Sequence, residues 1–479
     1  MLALDVLFKP KSVAVIGASR TPGKIGYAVL DSIKRSFSGK IYPINPEAPE
    51  ILGLTAYPSV LNVEEPIDLA VIAVKAEKVR DIVLECKKKK IKAAIIITSG
   101  FSEIGNKEGE LELKKAGKDI KILGPNCVGV FAPKEMDTLF MPHERLKRPE
   151  EGGIGFISQS GAFGTALIDL AASEGAGISK FVSIGNKIDI NETNMIEYLG
   201  KDPSTRAIAV YLESITDGKA FVSVAKRVSK IKPIIVLKAG KTKAGAEAAA
   251  SHTGSLAGET QVYSAAFEQA GIIEAKTTEE VFDFSKILAN QPPLKDNNIA
   301  IVTDGGGFGI LAADAAEESG LNMVQIDDKS TAGLKQFLPP YASLKNPIDL
   351  TGDSTSERYQ KALEIVFKDK NVSGVVVIAL LQIATLDEKI IDVLRDCKMY
   401  GKPFVVCATG GEYTQKRASK LESFGIPVYP TPERAVKAMC ALRDYGKIVG
   451  VAQQKPAEIK PEAAKKKTVK AKISKKKRR

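Results

Sequence analysis

The feature that most constrains this chain is the recurrence of short β-branched runs, each followed by a polar stretch of helical period. Between residues 10 and 130 the runs SVAVIGAS, KIYPINP, DLAVIAV, AAIIITSGF and KILGPNCVGVF obey this rule. Strands alternating with helices in that order predict a parallel sheet covered by helices, an α/β unit. The pattern resumes from Ile154 to about Asn290 and again from Ile299 to about Val451. Between these stretches KRPEEGG (147–153) and QPPLKDNN (291–298) read as linkers. The expected organisation is three α/β units at 1–146, 154–290 and 299–451, which 479 residues with 44% hydrophobic content can supply with cores.

The second and third units read as one design used twice. At a constant offset, IGFISQSGAFGTALIDLAA (154–172) and IAIVTDGGGFGILAADAAE (299–317) share Ile154 with Ile299, Gly161 with Gly306, Phe163 with Phe308, Gly164 with Gly309 and Asp169 with Asp314. Later in each unit GNKIDI (185–190) has a counterpart in KNPIDL (345–350). Two matches in the same order predict an internal duplication.

Composition narrows the function classes. The net charge of +12 suggests nucleic acid until it is divided: 12 Lys and Arg against 2 Glu fall between Lys455 and Arg479, leaving +2 for the rest. The Lys-rich tail 452–479 lacks the apolar residues to offset its ordering entropy and is expected to be disordered, with at most weak contacts to acidic partners or nucleic acid. No apolar run approaches the roughly 18 to 20 residues of a membrane span, so the expectation is a soluble, cytoplasmic protein with no membrane partner. Five widely spaced cysteines without a CxxC pair argue against a disulfide framework and a metal site.

Three glycine turns could carry chemistry. In SVAVIGASRTPGKIGYAVLDSI (12–33) a buried strand ends in a glycine turn and opens a helix. Gly17, Gly23 and Gly26 let the backbone approach a ligand, the helix start favours an anion, and Lys24 suits a pyrophosphate. A tight turn for packing is the plainer reading. The twin units each offer a helix start, with Ser160 and Gly161 in one and Gly305, Gly306 and Gly307 in the other, able to hold an oxyanion from two sides.

The most pointed feature is AEAAASHTGSLAG (246–258). His252 sits among small and hydroxyl-bearing residues, in a segment too glycine-rich for a well-formed helix. An imidazole on a mobile loop can accept a phosphoryl group, being nucleophilic when neutral. A carboxylate on its other nitrogen would hold the reactive tautomer, and Glu213 at the end of the strand AIAVYLES is the candidate.

Taken together, SHTGSLAG around His252, the paired SQSGAFG and TDGGGFG turns, GPNCVG (124–129) and SGFSE (99–103) resemble the ADP-forming acyl-CoA synthetases, kin to succinyl-CoA synthetase, over residues 1–450. That resemblance implies a Rossmann-like CoA-binding domain followed by two flavodoxin-like CoA-ligase domains. In such enzymes acyl-CoA and phosphate give an acyl phosphate, whose phosphoryl group passes to a histidine and then to ADP. His252 would be the phosphohistidine, Glu213 its orienting glutamate, and Ser160, Gly161, Gly306 and Gly307 the phosphate cradle. Gly17, Ser19, Lys24, Gly26, Val74, Lys75, Ser99, Gly100 and Asn126 match stretches that form the CoA site. No segment resembles an ATP-grasp module, so ADP or ATP with Mg2+ is expected on a separate β subunit, in an α2β2 hetero-oligomer. Asp304 and Phe308 stand where the family frequently has Asn and Pro; a carboxylate there would repel phosphate unless it points away or marks a differently tuned half-site. Two other readings stay open. One is a non-catalytic CoA-sensing module with an incidental histidine, and the other an NAD-dependent oxidoreductase, against which stands the absence of dinucleotide glycine spacing.

Overall fold

A computed structural model describes residues 2, 4–245, 247 and 260–450. His252 and the Lys-rich tail 452–479 lie outside the described residues.

Three parallel sheets follow one another along the chain. In the first, the strand Ser12–Ile16 lies between Lys40–Ile44 and Leu69–Ile72, followed outward by Ala93–Ile96 and Lys121–Leu123. All four pairings are parallel. The strands Ser12–Ile16, Leu69–Ile72 and Ala93–Ile96 are buried throughout, which is why their sequences are continuous apolar runs without alternation. The second sheet centres on Glu151–Ser158, between Ile178–Ser183 and Ala207–Leu212, with Ile234–Lys238 and Ile273–Ala275 beyond the latter. The third centres on Asn298–Thr303, between Asn322–Met323 and Gly374–Ile378, and continues to Phe404–Cys407 and Val428–Tyr429. Numbered within each unit, these strands run 2-1-3-4-5 in all three sheets. This doubly wound order puts a crevice outside the carboxyl ends of strands 1 and 3, where the connections depart to opposite faces.

Two features differ from the linker expectation. The charged stretch 147–153 runs directly into the strand Glu151–Ser158. The chain enters the second sheet earlier, where Val130–Ala132 pairs antiparallel with Ile178–Ser183 and Met136–Asp137 pairs with it in turn. The physical reason is an edge: the antiparallel pair covers the side of Ile178–Ser183 that would otherwise expose unpaired amides.

The first and second units are also stitched by backbone. The GNKIDI segment runs alongside GPNCVG, with Asn186 N donating to Pro125 O at 3.0 Å and Ile190 N to Ile122 O at 3.0 Å. Asp189 closes the seam by accepting Ile122 N at 2.9 Å. Among the described residues no helix is long and apolar enough to cross a membrane.

Candidate active site

A cavity of about 700 Å³ opens at the crevice of the first sheet and ends against the second. Three helix starts line it: Ile25 of the helix Ile25–Ser36, Ala76 of Ala76–Lys88, and Gly161 of Gly161–Glu174. The first two helices are preceded by Lys24 and Lys75, neither of which caps its helix with a side chain. Their first-turn amides therefore lack the partner a serine or aspartate would give, and the partial positive charge of each start faces the cavity. Such a site suits an extended polyanion.

Of the residues singled out from the sequence, Val74, Lys75, Ser99, Asn126, Ser160 and Gly161 line this cavity. Asn126 adopts left-handed backbone at φ 57°, which asparagine tolerates, and its amide donates to Thr98 O at 2.9 Å. Thr98 Oγ1 donates to Val74 O at 2.8 Å, so the two loops of the CoA-type motif move as one. Ser160 Oγ accepts from Phe163 N at 3.3 Å, and Ser160 O accepts from Ser158 Oγ at 2.6 Å, fixing the turn that opens the third helix start.

Gly17, Ser19, Lys24, Gly26 and Gly100 are not among the lining residues. Gly17 donates its amide to Ile44 O at 3.1 Å. Gly26 lies so near the turn that a methyl group there would fall 1.9 Å from Gly17 O. Both glycines let the helix seat on the strand end. Ser19 Oγ accepts from Thr21 N at 3.1 Å, within the loop. Gly100 donates its amide to Glu103, whose carboxylate also accepts Phe101 N at 3.1 Å and Asn186 Nδ2 at 2.7 Å. Burial pushes the Glu103 carboxyl up, but these donors outweigh it and hold the group below the usual range. The SGFSE motif is thus a self-satisfied loop, with Ser99 and Glu103 as its faces to the cavity.

Gly306 and Gly307 lie elsewhere, outside the cavity lining. They begin the helix Gly306–Glu318, and a methyl on Gly307 would meet nothing within 4 Å. Asp349 Oδ2 stands 2.9 Å from where a methyl on Gly306 would lie.

The duplicated halves explain Asp304. By register Ser158 pairs with Tyr211 and Thr303 with Ile378, so Glu213 and Leu380 occupy equivalent positions two residues further on. Gln159 Oε1 accepts Glu213 N at 2.9 Å and Ser214 N at 3.0 Å. Asp304, its counterpart, accepts Leu380 N at 3.1 Å. Each side chain straps the turn to the neighbouring strand end, and Asp304 is only 2% exposed. Burial pushes its carboxyl up to about 6 against the Leu380 amide that favours the charge. Asp304 therefore points away from the helix start. The halves have also diverged, since an orienting carboxylate, Glu213, stands in the second unit where the third has Leu380.

Around Glu213 the surroundings are polar and cationic. Lys187 Nζ donates to Ser214 O at 2.8 Å and pairs with buried Glu192 at 3.1 Å. Lys238 ends the adjacent strand; burial lowers its ammonium and the Glu213 carboxylate opposes that shift. Ala239 N donates to Leu212 O at 2.8 Å, so the chain leaves the sheet toward 252 from directly beside Glu213. Cys127, although in the cavity wall, is pushed up to about 12 by burial and stays a thiol, which removes it as a nucleophile.

The comparisons with known proteins agree with this arrangement. Residues 11–133 match a CoA binding domain, 151–288 a succinyl-CoA ligase like flavodoxin domain and 299–450 a ligase-CoA domain. The alpha subunit of acetate–CoA ligase (ADP-forming) I from Pyrococcus furiosus is 43% identical over 463 residues, covering 93% of this chain and 98% of that one. The chain belongs to the family of ADP-forming acetate–CoA ligase alpha subunits. It also matches the acetate–CoA ligase (ADP-forming) I of Archaeoglobus fulgidus at 42% identity, spanning 64% of that longer protein. Among solved structures, a dinucleotide forming acetyl-coenzyme A synthetase 1 of Ca. Korarchaeum cryptofilum, in complex with phosphate and ADP, superposes with a TM-score of 0.88 at 40% identity, covering 93% of this chain and 97% of that one.

Within this ligase fold, sequence reasoning passed over Ile25, Thr98, Val128, Phe140 and Gln159, all of which line the cavity. Gln159 had a signal, since it precedes Ser160 where Asp304 precedes Gly305. Phe140 had none, because it arrives from a connection about twenty residues before its helix partner.

Proposed function

We propose that this chain is the CoA-binding, phosphohistidine-carrying subunit of an ADP-forming acyl-CoA synthetase working in the cytoplasm. The observation that carries the reading is the cavity itself, which joins the crevice of a CoA binding domain to the Ser160–Gly161 helix start of the succinyl-CoA ligase like domain. A pantetheine arm entering past Ile25 and Val74 would bring a thioester to the amides at Gly161, while Lys75 and the starts at Ile25 and Ala76 would meet the nucleotide phosphates.

A phosphate oxygen then attacks the thioester carbonyl, the C–S bond breaks, and CoA leaves as a thiolate that takes a proton. A nitrogen of His252 receives the phosphoryl group from the acyl phosphate, releasing the carboxylate, and Glu213 holds the proton on the other nitrogen. Ser160 and Gly161 hold the phosphoryl oxygens. Gly306 and Gly307 serve a second docking position for the phosphohistidine, made less attractive to anions by Asp349. ADP and Mg2+ sit on a separate ATP-grasp β subunit, giving an α2β2 assembly, as the "subunit alpha" of the P. furiosus relative suggests.

Titration calorimetry and a coupled ATP assay test this reading. The chain alone should bind CoA without forming ATP from acyl-CoA, ADP and phosphate, and addition of the β subunit should restore ATP formation. CoA binding with no ATP formed in the reconstituted complex would favour a CoA-sensing module instead.

A further inference from the structure

The cavity is polar where it meets the Gly161 helix start and apolar along one flank of that start. Val128 is pressed against it, since a methyl placed on Gly161 would meet Val128 Cγ1 at 2.7 Å. Phe140 lines the same cavity and packs into the two hydrophobic cores that run through the second unit. Both are held from behind. Val128 N donates to Ser183 Oγ at 3.2 Å, and Val128 stands close to two residues of left-handed backbone, Asn126 and Gly129. Phe140 follows Leu139, whose carbonyl accepts Ser32 Oγ at 2.8 Å. Side chains so fixed form a wall of set shape, because close-packed interiors resist displacement.

The geometry points to Val128 and Phe140 as the wall that selects the acyl group, an assignment that rests on the function proposed above. When phosphate attacks a thioester, one tetrahedral carbon carries the sulfur, the entering phosphate oxygen and the acyl substituent. A phosphate held by the amides at Gly161 therefore places that substituent against whatever borders the helix start. Gln159, the polar neighbour, is engaged with Glu213, Ser214 and the Ser214 hydroxyl. Val128 and Phe140 are left as the surface the substituent meets. They offer no charge for a second carboxylate and no hydrogen-bond donor or acceptor for a hydroxyl group, and the fixed phenyl ring limits depth. The substrate class is short aliphatic monocarboxylates, in preference to aryl acids and dicarboxylates.

The test uses the chain reconstituted with its β subunit and compares kcat/KM for acetate, isobutyrate, phenylacetate and succinate. The wild-type complex should rank acetate and isobutyrate above the other two. V128A and F140A should each raise the phenylacetate-to-acetate ratio by about 10-fold or more, the size expected when a pocket gains one or two carbons of room. V128I, which preserves the buried apolar surface, should lower the isobutyrate-to-acetate ratio and keeps the test available should either alanine variant fail to fold. Ratios within twofold of wild type in folded variants would overturn the assignment. Labelling of the wild-type complex by ATP, which involves no acid, separates the two ideas: absence of label sinks the proposed function, whereas label with unmoved ratios sinks the acyl wall alone.

Discussion

At the scale of single residues, the pair Gln159 and Asp304 shows how one structural task can be met by different chemistry. Both strap a glycine turn to the next strand end, but the aspartate does so with a carboxyl raised from its ordinary range to about 6. A raised carboxyl binds its proton more tightly in the folded state, so its contribution is fully present below about pH 4 and is lost as pH rises through 6. Asp304→Asn, which installs the amide used by the sibling half, should therefore leave heat stability unchanged near pH 4 and raise it at pH 8, by at most about 3 kcal/mol at 1.4 kcal/mol per pH unit. Calorimetry at the two pH values reads this directly, and a variant less stable than wild type at pH 8 would count against the role assigned to Asp304. The sequence alone marked Asp304 as anomalous, but the partner that explains it, Leu380, is 76 residues away and visible only through strand register.

At the scale of elements, the glycines of the first turn act on packing more than on ligand. Replacing Gly26 by Ala would force a methyl to within 1.9 Å of Gly17 O, a backbone atom that cannot step aside. The expected loss is about 1–3 kcal/mol, with CoA affinity falling because the Ile25 helix start shifts. A G26A variant with wild-type melting temperature would contradict that account. Strand positions were legible because buried parallel strands must be continuous apolar runs, and the three sheets sit where those runs lie. Ligand-facing residues within the glycine motifs were less legible. A glycine that admits a ligand and one that admits a helix carry the same letter, which is why Val74, Lys75, Ser99 and Asn126 line the cavity while Gly17, Gly26 and Gly100 do not.

Across the whole molecule the units share hydrophobic cores: one runs through the first and second, another through the second and third. A buried ion cluster adds to the second of these contacts. Lys286 Nζ, fully buried, lies 3.0 Å from Glu422 and 3.3 Å from Glu174, donates to Val428 O at 2.6 Å and stands 4.5 Å over the Tyr429 ring. Burial drives the Glu422 carboxyl up to about 7, with Lys286 opposing it. Lys286→Met would leave Glu422 buried without its cation and should cost about 3–5 kcal/mol. The double variant K286M/E422Q should recover much of that loss in urea unfolding, and additive losses would show that the pair is not coupled. Nothing in the local pattern announced this cluster, because Lys286 sits in a helix and meets its partners only after two units have docked.

The account's central claim is that the phosphoryl group travels on His252, oriented by Glu213, between the Gly161 helix start and a partner subunit. Incubating the chain and its β subunit with γ-labelled ATP measures this most directly. Acid-labile, alkali-stable label should appear on the chain, vanish in H252A, and form about 100-fold more slowly in E213Q with CoA affinity unchanged. Label persisting in H252A would contradict the account.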